Sequence, residues 1–445
     1  MAGAIINIFK IPELRTRVLF TLFVLVVYRI GAHVPIPGIN VTALTEYFNQ
    51  AGKSGMLDFF DLFAGGALKR FTVFALGIMP YISASIIMQL LNTVIPALEK
   101  LAKEGPEGQK KINLYTKYGT VVLCAIQALG LTFWMKSMTT ASKGSVVPAD
   151  SGIGFIITTV IAITTGTMVL MWLGDQITEK GIGNGISLLI FAGIVVRLPQ
   201  AFMESMRRIV SQSDPIIGVI LIGFFVMVVA ASILLTLGTR KIPVQYGKRI
   251  VGRRMVQMTS QAIPLRVNAA GVIPIIFASS VVLFPTQIAN MLQVNKYAVF
   301  ANLQYYLSPG QVPYIILYSL LIVFFCYFYT AIQFNPVDIA DNLKKYGGFI
   351  PGIRPGKNTS DYIMHILNRI TLSGSIFLAF IAIIPDLVIR IWPEEVPAEM
   401  AYMFGGTSLL IIVGVTLDTL KQIESQLLMR HYDGFVRKGR IKGRH

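Results

Sequence analysis

Apolar residues along this chain gather into long runs separated by short polar stretches. Ten runs stand out, at about 18–36, 71–95, 118–136, 153–173, 182–198, 215–237, 269–291, 311–332, 370–390 and 402–420. Most have the ~20 residues that a helix needs to cross ~30 Å of hydrocarbon. The fifth is short and ends at Arg197, so its far boundary stays open. Transmembrane strands would instead be runs of about ten alternating residues. The pattern predicts an all-α polytopic membrane protein with ten transmembrane helices. Composition agrees: 54% of the 445 residues are hydrophobic, 14% are charged and the mean hydropathy is +0.65, whereas about 25% of a soluble domain is charged.

Two of the runs carry nearly the same phrase, Gly77-Ile78-Met79-Pro80-Tyr81-Ile82-Ser83-Ala84-Ser85 and Gly271-Val272-Ile273-Pro274-Ile275-Ile276-Phe277-Ala278-Ser279. A proline within a helix removes a backbone hydrogen bond and clashes with the preceding turn. In a membrane that break is tolerated only where protein groups or water re-satisfy the backbone. The copies fall in the second and seventh runs, so ten helices divide into two halves of five, 1–198 and 199–445. An odd number per half forces opposite orientations, an inverted repeat whose broken helices line a site or pathway. Coincidence is the competing explanation, because Gly and Pro are frequent in membrane helices.

Before the first copy lies Gly55-Met56-Leu57-Asp58-Phe59-Phe60-Asp61-Leu62-Phe63-Ala64-Gly65-Gly66-Ala67-Leu68. It is apolar and aromatic but too short to span, which predicts a re-entrant or an interfacial segment. Either it enters a cavity from outside and turns back through Lys69-Arg70, or it lies on the outer leaflet.

The net charge of +17 is unevenly placed. With the N-terminus inside, most Lys and Arg fall in inner loops and tails, as the positive-inside rule requires; both termini are then cytoplasmic. Residues 1–17 form a short amphipathic segment, and the first apolar run is too long for a cleavable signal peptide. Loop 238–268 holds Arg240, Lys241, Lys248, Arg249, Arg253, Arg254 and Arg266 without an acidic residue. Val251-Gly252 reads as a turn between two extended pieces, Pro243–Ile250 and Met255–Gln261, giving a protruding hairpin. Loop 333–365 carries Lys344 and Lys345, then Gly347-Gly348-Phe349-Ile350-Pro351-Gly352-Ile353-Arg354-Pro355-Gly356, a bent backbone that presents Arg354. Both loops read as docking surfaces for acidic protein or phosphate backbone, or as topogenic charge alone. The basic tail Arg437-Lys438-Gly439-Arg440 reads as topogenic charge, or as a contact with anionic lipid or RNA.

The chemistry of enzymes and ion-coupled carriers is missing from the pattern. The runs read as almost free of ionisable groups: Arg29 lies near the outer end of the first and can snorkel, and Asp418 lies near the inner end of the tenth. Coupled transporters place Asp, Glu or His at mid-membrane. Gly52-Lys53-Ser54 imitates a phosphate loop, but Tyr47 stands where its first glycine belongs. Gly181-Ile182-Gly183-Asn184-Gly185 opens a membrane helix with no strand before it, so it suits close helix approach better than nucleotide binding. Cys124 and Cys326 lie in apolar runs, which makes them small core residues. No cofactor and no metal site is implied, and any energy source is external. What remains is aliphatic. Ile78 and Ile82, and likewise Ile186 and Ile190, share a helix face at i, i+4 spacing, and Ile82 and Ile276 are equivalent in the two phrases. These are core or lipid-facing residues, or a hydrophobic collar that gates a pathway by dewetting.

With these residues the sequence resembles the SecY family, the central subunits of bacterial Sec protein-conducting channels. The resemblance spans all ten runs. It is carried by Phe74-Ala75-Leu76-Gly77-Ile78-Met79-Pro80-Tyr81-Ile82-Ser83-Ala84-Ser85, Gly181-Ile182-Gly183-Asn184-Gly185-Ile186-Ser187, Ala270-Gly271-Val272-Ile273-Pro274, Gly352-Ile353-Arg354-Pro355-Gly356 and Phe404-Gly405-Gly406-Thr407-Ser408-Leu409-Leu410. It implies an hourglass of two halves closed outside by a plug at about 57–70. It also implies a pore ring of Ile78, Ile82, Ile186, Ile190, Ile276 and Ile411. A lateral gate would lie between the second and seventh helices with the third and eighth, and Pro80, Ser83, Gln127, Asn268 and Pro274 are its candidates. The resemblance implies docking of the ribosome, with its RNA, and of the SecA ATPase on the two basic loops, SecE and SecG as small partner subunits, and secretory preproteins, signal sequences and membrane lipids as further partners. Two rivals remain: a secondary transporter of an apolar or amphipathic small molecule, and a non-conducting receptor that uses the basic loops alone.

Overall fold

The computed structural model describes residues 11–50, 61, 64–137, 139–140, 144–148, 152–200, 202–203, 207, 215–246, 249–251, 254–256, 261–268, 270–291, 306, 310–391, 401–402 and 405–438. Its helices are α1 (Pro12–Gly31), α2 (Val41–Gln50), α3 (Met79–Val94), α4 (Pro96–Lys103), α5 (Pro106–Ser137), α6 (Ile153–Lys180), α7 (Gly185–Val195), α8 (Pro215–Leu237), α9 (Ile273–Met291), α10 (Val312–Gln333), α11 (Pro336–Lys345), α12 (Lys357–Ile391) and α13 (Gly406–Lys438). Each of the ten apolar runs carries one of them: α1, α3, α5 to α10, α12 and α13. Among the described residues, five helices are long and apolar enough to cross a membrane, in α5, α6, α10, α12 and α13. The pair α3 and α4, bent by 99° at the break, makes a sixth if it is one span. Large apolar side chains such as Phe23, Leu234, Leu320 and Phe380 are exposed on the bundle, as suits faces that meet lipid.

Packing follows one scheme twice. In the first group α3 packs on α5, α5 on α6, α6 on α7, and α1 on both α6 and α7. In the second, α9 packs on α10, α10 on α12, α12 on α13, and α8 on both α12 and α13. The groups meet at two seams, α9 against α3 and α5, and α13 against α7. At the second seam the Gly183 N–H donates to Gln422 Oε1 at 2.9 Å.

The repeated prolines do not interrupt helices; they begin them. Residues 71–78 are turns, tied to the chain after α1 by Ile36 N–H to Phe71 O and Val73 N–H to Val34 O. Helix α3 starts only at Met79, with Pro80 in its first turn, and α9 starts at Ile273 with Pro274 next. There a proline lacks only an N–H that has no intrahelical partner anyway. Gly77 (φ 55°) and Gly271 (φ 65°) both adopt the left-handed conformation that turns the chain into the helix, which only glycine adopts freely.

The two basic loops are one structure. Strands β1 (Thr139–Thr140) and β2 (Gly144–Ser145) form a small hairpin elsewhere. Here β3 (Thr239–Tyr246) lies between β6 (Gln261–Arg266) and the short β7 (Gly348–Phe349). Ile242, Val244, Leu265, Leu343, Ile350, Ile363 and Leu367 form a small core beneath them. Strands β4 (Arg249–Val251) and β5 (Arg254–Val256) pair at the tip with Val251 opposite Arg254. Val251, read from the sequence as part of the turn, therefore belongs to the strand β4, and Gly252 lies outside the described residues.

Candidate functional site

The seam between α9 and the α3–α5 pair brings together the two helices that begin within the repeated phrase. Ile78, Ile82, Ile190, Ile276 and Ile411 are buried and Ile186 is partly buried; all six belong to one continuous apolar cluster. The cluster also holds most of the membrane core, so membership puts these residues in one interior without by itself drawing a ring. Pro80 and Pro274 are buried and Ser83 is half-buried. Gln127 on α5 and Asn268 just before α9 are buried, each with a side-chain carbonyl oxygen that no donor reaches. An unpaired buried acceptor costs about 1–3 kcal/mol, a cost that both of these oxygens carry in this arrangement.

Glycines of the neighbouring helices fix the entries to α3 and α9. A Cβ on Gly166 of α6 would overlap the Val73 carbonyl oxygen, and one on Gly374 of α12 would lie 2.7 Å from that of Val267. Val73 and Val267 stand four residues before Gly77 and Gly271. The correspondence continues eight residues further along each helix. A Cβ on Gly185, which opens α7, would overlap Gly174 O, and one on Gly406, which opens α13, would lie 3.1 Å from Ala382 O. Sequence reading missed these pairs, although Gly166-Thr167 and Gly374-Ser375 are visible in the fourth and ninth runs.

At the end of the bundle away from the sheet, part of the segment before α3 is described. Asp58, Phe59, Phe60, Leu62 and Phe63 lie outside the described residues. Asp61, Ala64, Ala67, Leu68 and Phe71 are buried. Asp61 Oδ1 accepts from the Leu68 and Lys69 N–H groups at 3.1 Å each. Its Oδ2 lies 2.7 Å from Arg197 Nη2, just past α7. Arg29 does not snorkel away; its Nη1 donates to Gly65 O at 2.9 Å. Gly65 is wedged between Tyr28 and Gly193, and Gly66 faces the Arg197 guanidinium.

The membrane runs are not as free of ionisable groups as the sequence reading had it. Asp386, in the ninth run, is buried and accepts a hydrogen bond from Tyr402 Oη at 2.9 Å. The signal was a lone acidic residue within an apolar run, and it was overlooked.

Among the basic candidates, Arg240 and Lys241 on β3, Lys344 and Lys345 at the end of α11, and Arg354 in the turn before α12 are all exposed. The Arg354 carbonyl accepts from Thr359 Oγ1 at 3.0 Å, which pins the turn on the first residues of α12. Arg249 and Arg254 lie in the tip strands; Lys248 and Arg253 fall outside the described residues.

Two five-helix groups, packed in the same order and joined at two seams, define a polytopic helical membrane protein. The family model for SecY matches residues 72–420. The chain is 44% identical to the protein translocase subunit SecY of Haemophilus influenzae over 97% of its length and 96% of that protein. It is 47% identical to that of Streptomyces coelicolor over 98% and 100%. The chain belongs to the SecY family. Its fold is also that of a SecY structure described for a plug domain that stabilises the closed translocation channel (TM-score 0.65, 19% identity, 96% of this chain and 95% of that one). Sec61 in the canine ribosome–channel complex is similar as well (TM-score 0.59, 18% identity, 96% and 95%).

Proposed function

We propose that this chain is the channel-forming subunit of a bacterial protein translocase. Polar segments of secretory proteins pass between its two halves, and apolar segments leave sideways into lipid. The observation that carries the reading is the direct packing of α9, which bears one copy of the repeated phrase, against α3, which bears the other. The seam is the line along which halves 1–198 and 199–445 part; the matching packing order of the two groups supports that division. Opening there exposes a chain segment to hydrocarbon, where Leu, Ile or Phe contributes about −0.3 to −0.6 kcal/mol each and Lys or Asp costs about +2.5 to +3.5. Such a gate sorts by hydrophobicity without a sequence code. The six isoleucines form the collar that refuses ions by dewetting, and the segment at 57–70 is the plug on the outer side. The secondary-transporter reading finds no support among these relatives, which are translocase subunits and channels.

The chain sits in the plasma membrane with both termini and the basic sheet in the cytoplasm. The sheet, with Arg240, Lys241, Lys344, Lys345 and Arg354 exposed, is the docking surface for the ribosome and for SecA, which supplies the energy; SecE and SecG complete the complex. The channel subunit itself performs no catalysis. A photocrosslinker at position 82, tested against a stalled secretory chain, decides the central claim. The expected result is an adduct with the nascent chain, and its absence with ribosomes bound would leave only a receptor. Arg354→Glu is expected to reduce SecA-dependent export several-fold while the complex still assembles.

A further inference from the structure

We propose that Arg197 is the positioning residue of an electrostatic latch that holds the plug closed through Asp61. The inference rests on the plug reading of residues 57–70 and deepens it. Asp61 is 0% exposed and its two carboxylate oxygens do different work. One accepts the Leu68 and Lys69 N–H groups and so ties Asp61 to the turn at 68–69. The other faces the Arg197 guanidinium at 2.7 Å. The partners come from separate bodies: Asp61 from the segment that must move, Arg197 from the chain just past α7. The Arg197 side chain is 22% exposed, so the pair sits at the boundary between the closed interior and water.

A buried charge that loses its partner is strongly destabilising. In the closed channel Asp61 is therefore held by Arg197, and withdrawal of the segment is offset only when both groups reach water. The second tie, Arg29 to Gly65 O, uses a neutral acceptor and adds no charge partner. Arg29, Arg70 and Arg197 together are basic groups that gather around this corner, and Asp61 is a carboxylate among them. Neutralising Asp61 thus removes attraction and leaves the arginines to repel one another.

The test is the resting conductance of planar bilayers fused with native membrane vesicles that carry the full chain, normalised to the amount of the protein. Asp61→Asn and Arg197→Gln should each raise conductance at least about tenfold, because each breaks a buried pair. The double variant should match the larger single variant rather than multiply the two effects. Arg197→Lys should stay near wild type. A channel without residues 57–70 is the reference. If that deletion leaves conductance unchanged, the plug reading itself fails. If the deletion leaks but both single variants stay tight, or the double variant multiplies them, the plug stands and the latch is overturned. Should Asp61→Asn fail to accumulate in the membrane, the contrast between Arg197→Gln and Arg197→Lys decides: equal conductance overturns the proposal.

Discussion

The entries to α3 and α9 are built from the same parts and held differently. Each has a left-handed glycine, a proline in the first helical turn, and a valine carbonyl four residues upstream seated on a glycine of a neighbouring helix. Beside the first seat, Thr167 Oγ1 donates to Gly77 O, tying the entry of α3 to α6. Beside the second, Ser375 Oγ donates to Leu372 O within its own helix and ties nothing. The α3 entry also lies under the enclosed segment with Asp61, whereas the α9 entry follows directly from β6, with Val267 N–H bonded to Gly238 O. One wall of the seam is thus fixed by its own half, and the other hangs from the basic sheet. A pull on that sheet by a docked partner would reach α9 first.

The glycine seats give the largest expected effect. Gly166→Ala puts a methyl group into a backbone carbonyl, and overpacking of this kind costs about 1–3 kcal/mol, occasionally more. Gly374→Ala meets its carbonyl at 2.7 Å and should cost less. Thermal unfolding of the detergent-solubilised complex checks the order, and a Gly374→Ala variant as unstable as Gly166→Ala would show that the two seats are equally tight. Next in size are Ile82→Gly and Ile276→Gly. Equivalent in the repeat and both buried in one cluster, they should raise resting ion conductance several-fold and by similar factors. Unchanged conductance in both would remove the collar, and a rise in only one would make the seal one-sided.

The helices of this fold were legible because crossing hydrocarbon demands long apolar runs, which local sequence records directly. Their starts were not. Residues 71–78 are as apolar as the helix they precede, and whether they wind depends on a tertiary neighbour, the extended chain at 34–36 that bonds to them, which no window on the run contains. The prolines were correctly singled out but misread as breaks, because the left-handed glycine three residues earlier had not been counted as the helix start. The hairpin in loop 238–268 was legible from its turn, yet its union with the second loop rests on the two-residue strand Gly348–Phe349, too short to leave a pattern. The Asp61–Arg197 pair joins distant parts of the chain, and a single sequence does not show which of several arginines a carboxylate meets. The roles of the isoleucines came from the family resemblance; periodicity alone allowed core or lipid.

Helices α6 and α12 offer a middle-sized contrast. Asp175, near the end of α6, pairs with Lys117 of α5 at 2.7 Å, with both side chains more than a third exposed. Asp386, also near the end of its helix α12, is buried and bonded to Tyr402. Tyr402→Phe leaves a buried carboxylate short of a donor and should cost about 1–3 kcal/mol. Lys117→Gln breaks a solvated pair and should cost less than about 1 kcal/mol. Unfolding midpoints of the two variants measure the difference, and equal shifts would mean that burial does not separate the two aspartates.

The smallest effect tests the asymmetry of the seam itself. Thr167→Val keeps the shape of the side chain but removes the hydroxyl that donates to Gly77 O and lies 3.3 Å from Cys124 Sγ. The loss should be about 1 kcal/mol, the usual net worth of one hydrogen bond. Ser375→Ala removes a buried hydroxyl that bonds only within its own helix, and the better helix propensity of Ala offsets part of that loss, so the change should be smaller. Stability alone would not show where the loss falls, so amide hydrogen exchange is the sharper readout. Thr167→Val should speed exchange in the first turn of α3, where the Ile82 N–H is bonded to Ile78 O, and Ser375→Ala should leave the Ile276 N–H bond to Val272 O as protected as before. If both variants loosen their helix starts equally, the two walls are held alike, and the sheet-side entry has no special freedom to move.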